Sequence, residues 1–266
     1  MKHAISAIWV AVAGFIGVLL IGACATSPTG RKQFILFSDS EVAQQGVAAF
    51  AEIKKKEKPE PDAATSNYVM CVARAVTAQS GRGSWEIVTF HNDEANAFAL
   101  PGGKIGVYSG LLKYAKNQDQ LAAVLGHEVA HVLARHGAER ISQQFGAEVG
   151  MAAVQAAVGE DKNKQWVLYG ALGVAQFGVL LPFSRDHESE ADKMGVDLMA
   201  RAGFDPNQSI DLWRNMAAGG GGQPPEWMST HPSHETRITN LKSWAPAAMP
   251  AYTAAVARGR RPKCQM

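Results

Sequence analysis

LAAVLGHEVAHVLARH, residues Leu121 to His136, is the stretch on which the reading of this chain turns. At its centre stand His127, Glu128 and His131 in an H-E-x-x-H pattern. On an α-helix, at about 100° per residue, positions four apart lie roughly 40° round the axis, so both imidazoles share one face and can meet one metal ion. Glu128 stands one step round, within reach of a water on that metal. Leu121, Val124, Leu125, Val129, Val132 and Leu133 make the helix apolar around much of its circumference, as expected of a buried element. A histidine pair on such a face can be a packed or capping pair. Buried imidazoles and carboxylates need partners, however, and a metal supplies one. The stretch points to a site for one Zn²⁺ per chain and to hydrolytic chemistry.

Asn117 is the expected N-cap, with Gln120 in the capping-box position, so the spacing predicts a helix from Gln118 to about Gln144. His136 lies nine positions beyond His127, roughly 180° round such a helix, and reads as structural. Upstream, Trp85–Phe90 (WEIVTF) and Lys104–Tyr108 (KIGVY) are rich in β-formers and can pair in a small sheet, with Pro101-Gly102-Gly103 as a turn. A plain hairpin is one reading of the intervening segment. The other is an edge strand beside the zinc helix, at Asn96, Ala97, Phe98 and Ala99, offering free N–H and C=O groups to an extended peptide. Farther upstream, Ser38 to Ile53 reads as a helix opened by Ser38 with Glu41, and Lys54 to Asp62 as a charged linker.

Downstream, Gly146–Val158 and Trp166–Phe183 are Ala/Gly-rich apolar segments expected to form a helical hairpin, packed internally or touching a bilayer. Two histidines leave a catalytic zinc site short of a ligand, since such sites usually take three protein ligands and a water. SRDHESEAD, Ser184 to Asp192, supplies His187, Glu188, Glu190 and Asp192 on a second core helix; Glu188 and Asp192, four apart, share a face.

The N-terminus carries Lys2 and His3, an apolar run of 18 residues from Ala4 to Ile21, and then Gly22-Ala23-Cys24. Small residues before a cysteine at the end of a short apolar core read as a lipoprotein signal peptide with Cys24 acylated; an uncleaved anchor is the alternative. Ala25 in place of Asp then directs the chain to the periplasmic face of a bacterial outer membrane, held there by its lipid. In such an oxidising compartment Cys71 and Cys264 pair most economically, with two unpaired thiols as the alternative. The near balance of 26 Lys+Arg against 24 Asp+Glu argues against a nucleic-acid partner.

Taken together, HEVAH, NAFALPGGKIGVYSGLL, SRDHESEAD and THPSHETRI resemble the HtpX and CAAX-prenyl-endopeptidase family of zinc metallopeptidases over roughly Gln33 to Trp244. The lipobox, TSPTGRKQ and the two extra cysteines resemble its periplasmic lipoprotein, LoiP-like branch. The resemblance implies His127, His131 and Glu188 as zinc ligands, Glu128 as general base, and Asp192 as the carboxylate that orients a ligating histidine. It also matches His231 and Arg237 to the family's later histidine and arginine, placing them in the catalytic set. His231 follows Gly219–Gly222, a hinge on which it could swing to stabilise an oxyanion or fill the open metal position at rest. Glu190 should point elsewhere. A deformylase would need a cysteine ligand in a motif that neither Cys71 nor Cys264 fits.

The expected fold is α+β and mainly α-helical, zincin-like, with an edge strand flanking the HExxH helix. The expected layout is a signal peptide at 1–23, a lipidated N-terminus and tether at 24–37, a peptidase domain at 38–250 and a tail at 251–266. The expected activity is zinc-dependent endoproteolysis of unfolded or misassembled envelope proteins. A chaperone or adaptor lipoprotein, partnered with the outer-membrane assembly machinery and with proteolysis minor or held off, is the second reading.

Overall fold

The computed structural model describes residues 24–158, 183–218, 226–231 and 235–266. The expected signal peptide, most of the second apolar segment and the Gly219–Gly222 hinge lie outside these residues. Two compact units divide the chain: residues 1–38 with 138–180, and residues 39–137 with 181–266.

In the first unit, β1 (Cys24–Thr26) and β2 (Lys32–Phe34) form an antiparallel hairpin, Cys24 opposite Phe34. The helix α4 (His136–Val158) supplies its other described element from Ala138 onward. Arg31 grips Glu139 with both ends of its fork, at 2.9 and 2.6 Å, and Gln33 donates to the same carboxylate at 3.0 Å. Residues expected as a loose tether are therefore ordered by a bidentate, charge-assisted pair.

The second unit holds the site. Its elements are α1 (Asp39–Lys56), α2 (Ala63–Thr77), β3 (Glu86–Phe90), β4 (Ala97–Leu100), β5 (Lys104–Tyr108), α3 (Gln118–Leu133), α5 (Arg185–Arg201), α6 (Gln208–Ala218), α7 (Glu226–Thr230) and α8 (Glu235–Ala257). The sheet order is β3-β5-β4. β3 runs parallel to β5, because β4 occupies the chain between them and folds back on β5 through the Pro101-Gly102-Gly103 turn. That turn needs its glycines: Gly102 and Gly103 have φ of 83° and 70°, the left-handed region. β4 is thereby left at the edge of the sheet, packed beside α3.

Asn117 caps α3 by accepting from the Gln120 N–H at 2.9 Å, as its position predicts. Every residue of α3 from Gln120 to Val132 is buried, against α2, α5, α6 and β4. The predicted continuation to Gln144 does not occur as one helix. Arg135 takes φ of 59°, the described residues' sole non-glycine in that region, and the chain turns there before α4 begins at His136. The expected 250/251 boundary also falls inside an element, since α8 runs on through Pro246 and Pro250 to Ala257. Beyond it, a disulfide joins Cys264 to Cys71 of α2, with the α-carbons 5.7 Å apart. Among the described residues no helix is long and apolar enough to cross a membrane.

Candidate metal centre

α5 brings its carboxylates to α3 where the two helices nearly touch. A β-carbon on Gly126 would lie 2.7 Å from the Gly195 carbonyl oxygen, and one on Gly195 would lie 2.7 Å from the His127 nitrogen. Any larger residue at either position would push the helices apart and carry Glu188 and Asp192 away from the histidines. Ser184 starts α5 by accepting from the His187 N–H at 3.2 Å.

His127 Nε2 and His131 Nε2 face each other at 3.0 Å. His231 Nδ1 lies 3.2 Å from His127 Nε2 and 3.0 Å from Glu188 Oε1. One donor atom from each of His127, His131, Glu188 and His231 lies within 4.8 Å of the other three, and all four residues are buried. This donor set fits a divalent metal. Burial pushes the His127 and His131 pKa values well down, only partly opposed by Glu188, toward the neutral imidazoles that ligate. Burial would raise Glu188, but the neighbouring His127, His131 and His231 outweigh it and hold its carboxyl far below the usual carboxylate range. Imidazole and carboxylate donors gathered at one buried point are the ligand chemistry of zinc and its neighbours in the first transition series.

Behind His127, its Nδ1 meets Asp192 Oδ1 at 2.9 Å. Arg237, on α8, donates from Nη2 to the same oxygen at 2.7 Å and from Nη1 to Glu188 Oε2 at 2.9 Å. Its Nε pairs with Asp192 Oδ2 at 2.7 Å, and the guanidinium carbon sits 3.7 Å from the centre of the Trp213 ring. Burial raises the Asp192 carboxyl, with Arg237 opposing. Arg237, expected in the catalytic set, thus lies behind the donor cluster and clamps the cluster's Glu188 together with Asp192 behind it.

Glu128 is held by Trp227, whose Nε1 donates to its Oε1 at 2.7 Å; the Ala99 backbone N–H also favours the charged carboxylate. His231 Nε2 stands 3.4 Å from that oxygen. Burial raises the Glu128 pKa, with His231 and Trp227 opposing. For His231, Glu128 and Glu188 outweigh the effect of burial and raise its pKa.

His136 stays out of the donor cluster, as expected, but does not lie on the opposite face. The turn at Arg135 brings it back over His131, Nδ1 to Nδ1 at 2.9 Å, while its Nε2 meets Glu190 Oε2 at 3.1 Å. Glu190 does stay out of the donor cluster, as expected, yet it is buried and linked to the cluster through His136. Continuous helical geometry placed His136 on the opposite face, so only a recognised helix break could have found it. Trp227 was also missed: nothing local to a tryptophan beside a polyglycine stretch signals that it holds a carboxylate 99 residues earlier.

The sequence model of peptidase family M48 matches residues 59–245, and the chain belongs to that family. The chain is similar to the mitochondrial metalloendopeptidase OMA1 of Schizosaccharomyces pombe, 42% identical over 69% of this chain and 54% of that one. It is 38% identical to OMA1 of Saccharomyces cerevisiae over 63% of this chain and 49% of that one. It is 32% identical to the β-barrel assembly-enhancing protease of Yersinia pestis over 66% of this chain and 38% of that one. The chain thus spans about half the length, or less, of these curated relatives. Their names correct the expectation of a bacterial outer-membrane location: the peptidase region is shared with mitochondrial proteins and specifies a site, not a compartment. Of the features on which the LoiP-like likeness rested, Cys24, TSPTGRKQ and Cys264 lie outside the matched residues and Cys71 lies within them.

Proposed function

We propose that this member of peptidase family M48 is a zinc metalloendopeptidase that cuts extended segments of unfolded or misassembled proteins. The observation that carries the proposal is the junction of base and edge strand. The Trp227 indole holds the Glu128 carboxylate beside the donor cluster, on the helix against which the edge strand β4 packs. His127, His131 and Glu188 would hold the metal. Bound there, zinc would polarise the scissile carbonyl and make water more acidic. Glu128 takes the proton of the attacking water and returns it to the leaving amine. Arg237 and Asp192 keep Glu188 and His127 in place throughout.

β4 is suited to align a substrate. Asn96 turns its carbonyl to β5, accepting from the Tyr108 N–H at 2.9 Å, and alternate residues of an antiparallel edge face opposite ways. Ala97 and Ala99 then direct their main-chain groups to the open edge, where an extended peptide can add as a strand. Recognition through main-chain groups suits clients that share exposed backbone and no common sequence. One relative is named for β-barrel assembly, and β-barrel proteins caught during assembly are clients of this kind.

His231 supports a second reading, a chaperone or adaptor whose proteolysis is held off. Its ring lies within the donor set, 3.0 Å from Glu188, the position of a residue that occupies the metal until substrate displaces it. The test is digestion of casein and of a denatured β-barrel protein by the full chain, with a chelator and after zinc is restored. Cleavage that survives complete chelation sinks the proposal. Client binding that persists in Glu128→Gln, with no cleavage by the wild type, favours the second reading. Zinc content undiminished in Glu188→Ala removes Glu188 from the ligand set.

A further inference from the structure

We propose that His136 and Glu190 form a relay that sets the proton of His131, making His136 a positioning residue for the metal centre. The inference rests on the proposal above only in taking His131 as a ligand. His131 can ligate through Nε2 only if its proton is on Nδ1, and Nδ1 then needs an acceptor. For His127 that acceptor is Asp192, at 2.9 Å. Among the described residues no carboxylate occupies the corresponding place at His131. There the 2.9 Å neighbour is another imidazole nitrogen, His136 Nδ1, which can accept only if its own proton is on Nε2. Glu190 Oε2, 3.1 Å from that Nε2, fixes it there.

The proton arrangement is therefore determined from end to end. Glu190 accepts the N–H of His136, His136 accepts the N–H of His131, and the His131 Nε2 lone pair is left to face the donor cluster. Geometry makes the arrangement rigid. His136 is wholly buried and stacks on His187, ring centres 4.4 Å apart and planes 22° off parallel. The relay exists because α3 ends at Leu133, two residues after His131, and Arg135, at φ of 59°, turns the chain so that α4 starts with His136 folded back on His131.

The test uses the zinc-loaded full chain labelled with ¹⁵N-histidine. The relay requires His131 protonated at Nδ1, His136 neutral and protonated at Nε2, and a nitrogen–nitrogen coupling across the hydrogen bond between their Nδ1 atoms. A His136 proton on Nδ1 overturns it. In parallel, zinc affinity is measured by competition with a chromophoric chelator. His136→Phe keeps a ring and loses the acceptor, and should weaken binding roughly 10- to 100-fold, with kcat falling and KM held. His136→Gln, which restores an acceptor oxygen, should recover part of that loss. Glu190→Ala tests the far end without altering the ring and should weaken binding less than His136→Phe. Affinity unchanged in both His136→Phe and Glu190→Ala refutes the relay. Failure of the wild type to bind zinc at all would refute the metal reading instead, while the His131 and His136 proton positions would still decide the relay.

Discussion

The two histidines of the HExxH helix stand one turn apart and look alike in sequence, yet the protein supports them by opposite means. His127 is backed by a charged layer: Asp192 on its Nδ1, with Arg237 binding both Asp192 and Glu188 and lying over Trp213. His131 is backed by a second imidazole, with the carboxylate of Glu190 one residue farther out. On the first side, orientation comes from short contacts to full charges, and these are costly to disturb because each buried charge depends on another. On the second it comes from hydrogen bonds between edge-on imidazoles, whose loss strands fewer charges. Fixing a tautomer does not need a carboxylate in contact; it needs an unbroken order of donors and acceptors.

The difference is most sharply tested by stability. Asp192→Ala leaves the buried Arg237 guanidinium short of its principal partner and should cost about 3–5 kcal/mol, read by urea unfolding of the metal-free chain. Glu190→Ala strands one imidazole N–H and should cost about 1–3 kcal/mol. Equal losses would break the contrast between a charged and a hydrogen-bonded backing. Glu128→Gln touches neither side: zinc content and the unfolding midpoint should hold while cleavage drops at least ~10²-fold. Turnover at the wild-type rate would remove Glu128 as the base. Initial rates on one unfolded substrate place His231, since His231→Ala should speed cleavage if the ring blocks the metal at rest and slow it if the ring steadies the oxyanion. An unchanged rate would deny it both roles. The smallest effect expected is coupling between the two sides. Zinc affinities of Asp192→Asn, His136→Phe and the double variant should combine to within about 0.5 kcal/mol of additivity, because the two supports share no atom. A larger coupling would merge them into one network.

Much of this centre was legible in the chain. Short-range spacing put His127, Glu128 and His131 on one face, put Glu188 and Asp192 on another, and located the cap at Asn117. Those are consequences of helical periodicity, which holds as long as the helix does. What stayed hidden is what happens where periodicity stops. An arginine in the left-handed region carries no compositional mark, so extrapolating the helix through Arg135 moved His136 to the far face and hid its contact with Glu190. The direction of β3 was likewise open, because β-propensity pairs strands without orienting them; the tight glycine turn after β4 decides it. The location expected from the N-terminal segment failed for another reason, since the peptidase region shared with mitochondrial relatives does not fix a compartment.

The disulfide between Cys71 and Cys264 closes a covalent ring around residues 71–264, and every residue of the centre lies inside it, from Ala97 of the edge strand to Arg237. If the proposed activity holds, a peptidase that cuts exposed backbone would be a hazard to its own loops. A single nick anywhere within that ring opens the chain without parting it, so both pieces stay one molecule, and α2 and the C-terminal segment remain tied. A self-cleaved population would migrate as intact protein on a non-reducing gel and separate only after reduction, and its activity would outlast the cut.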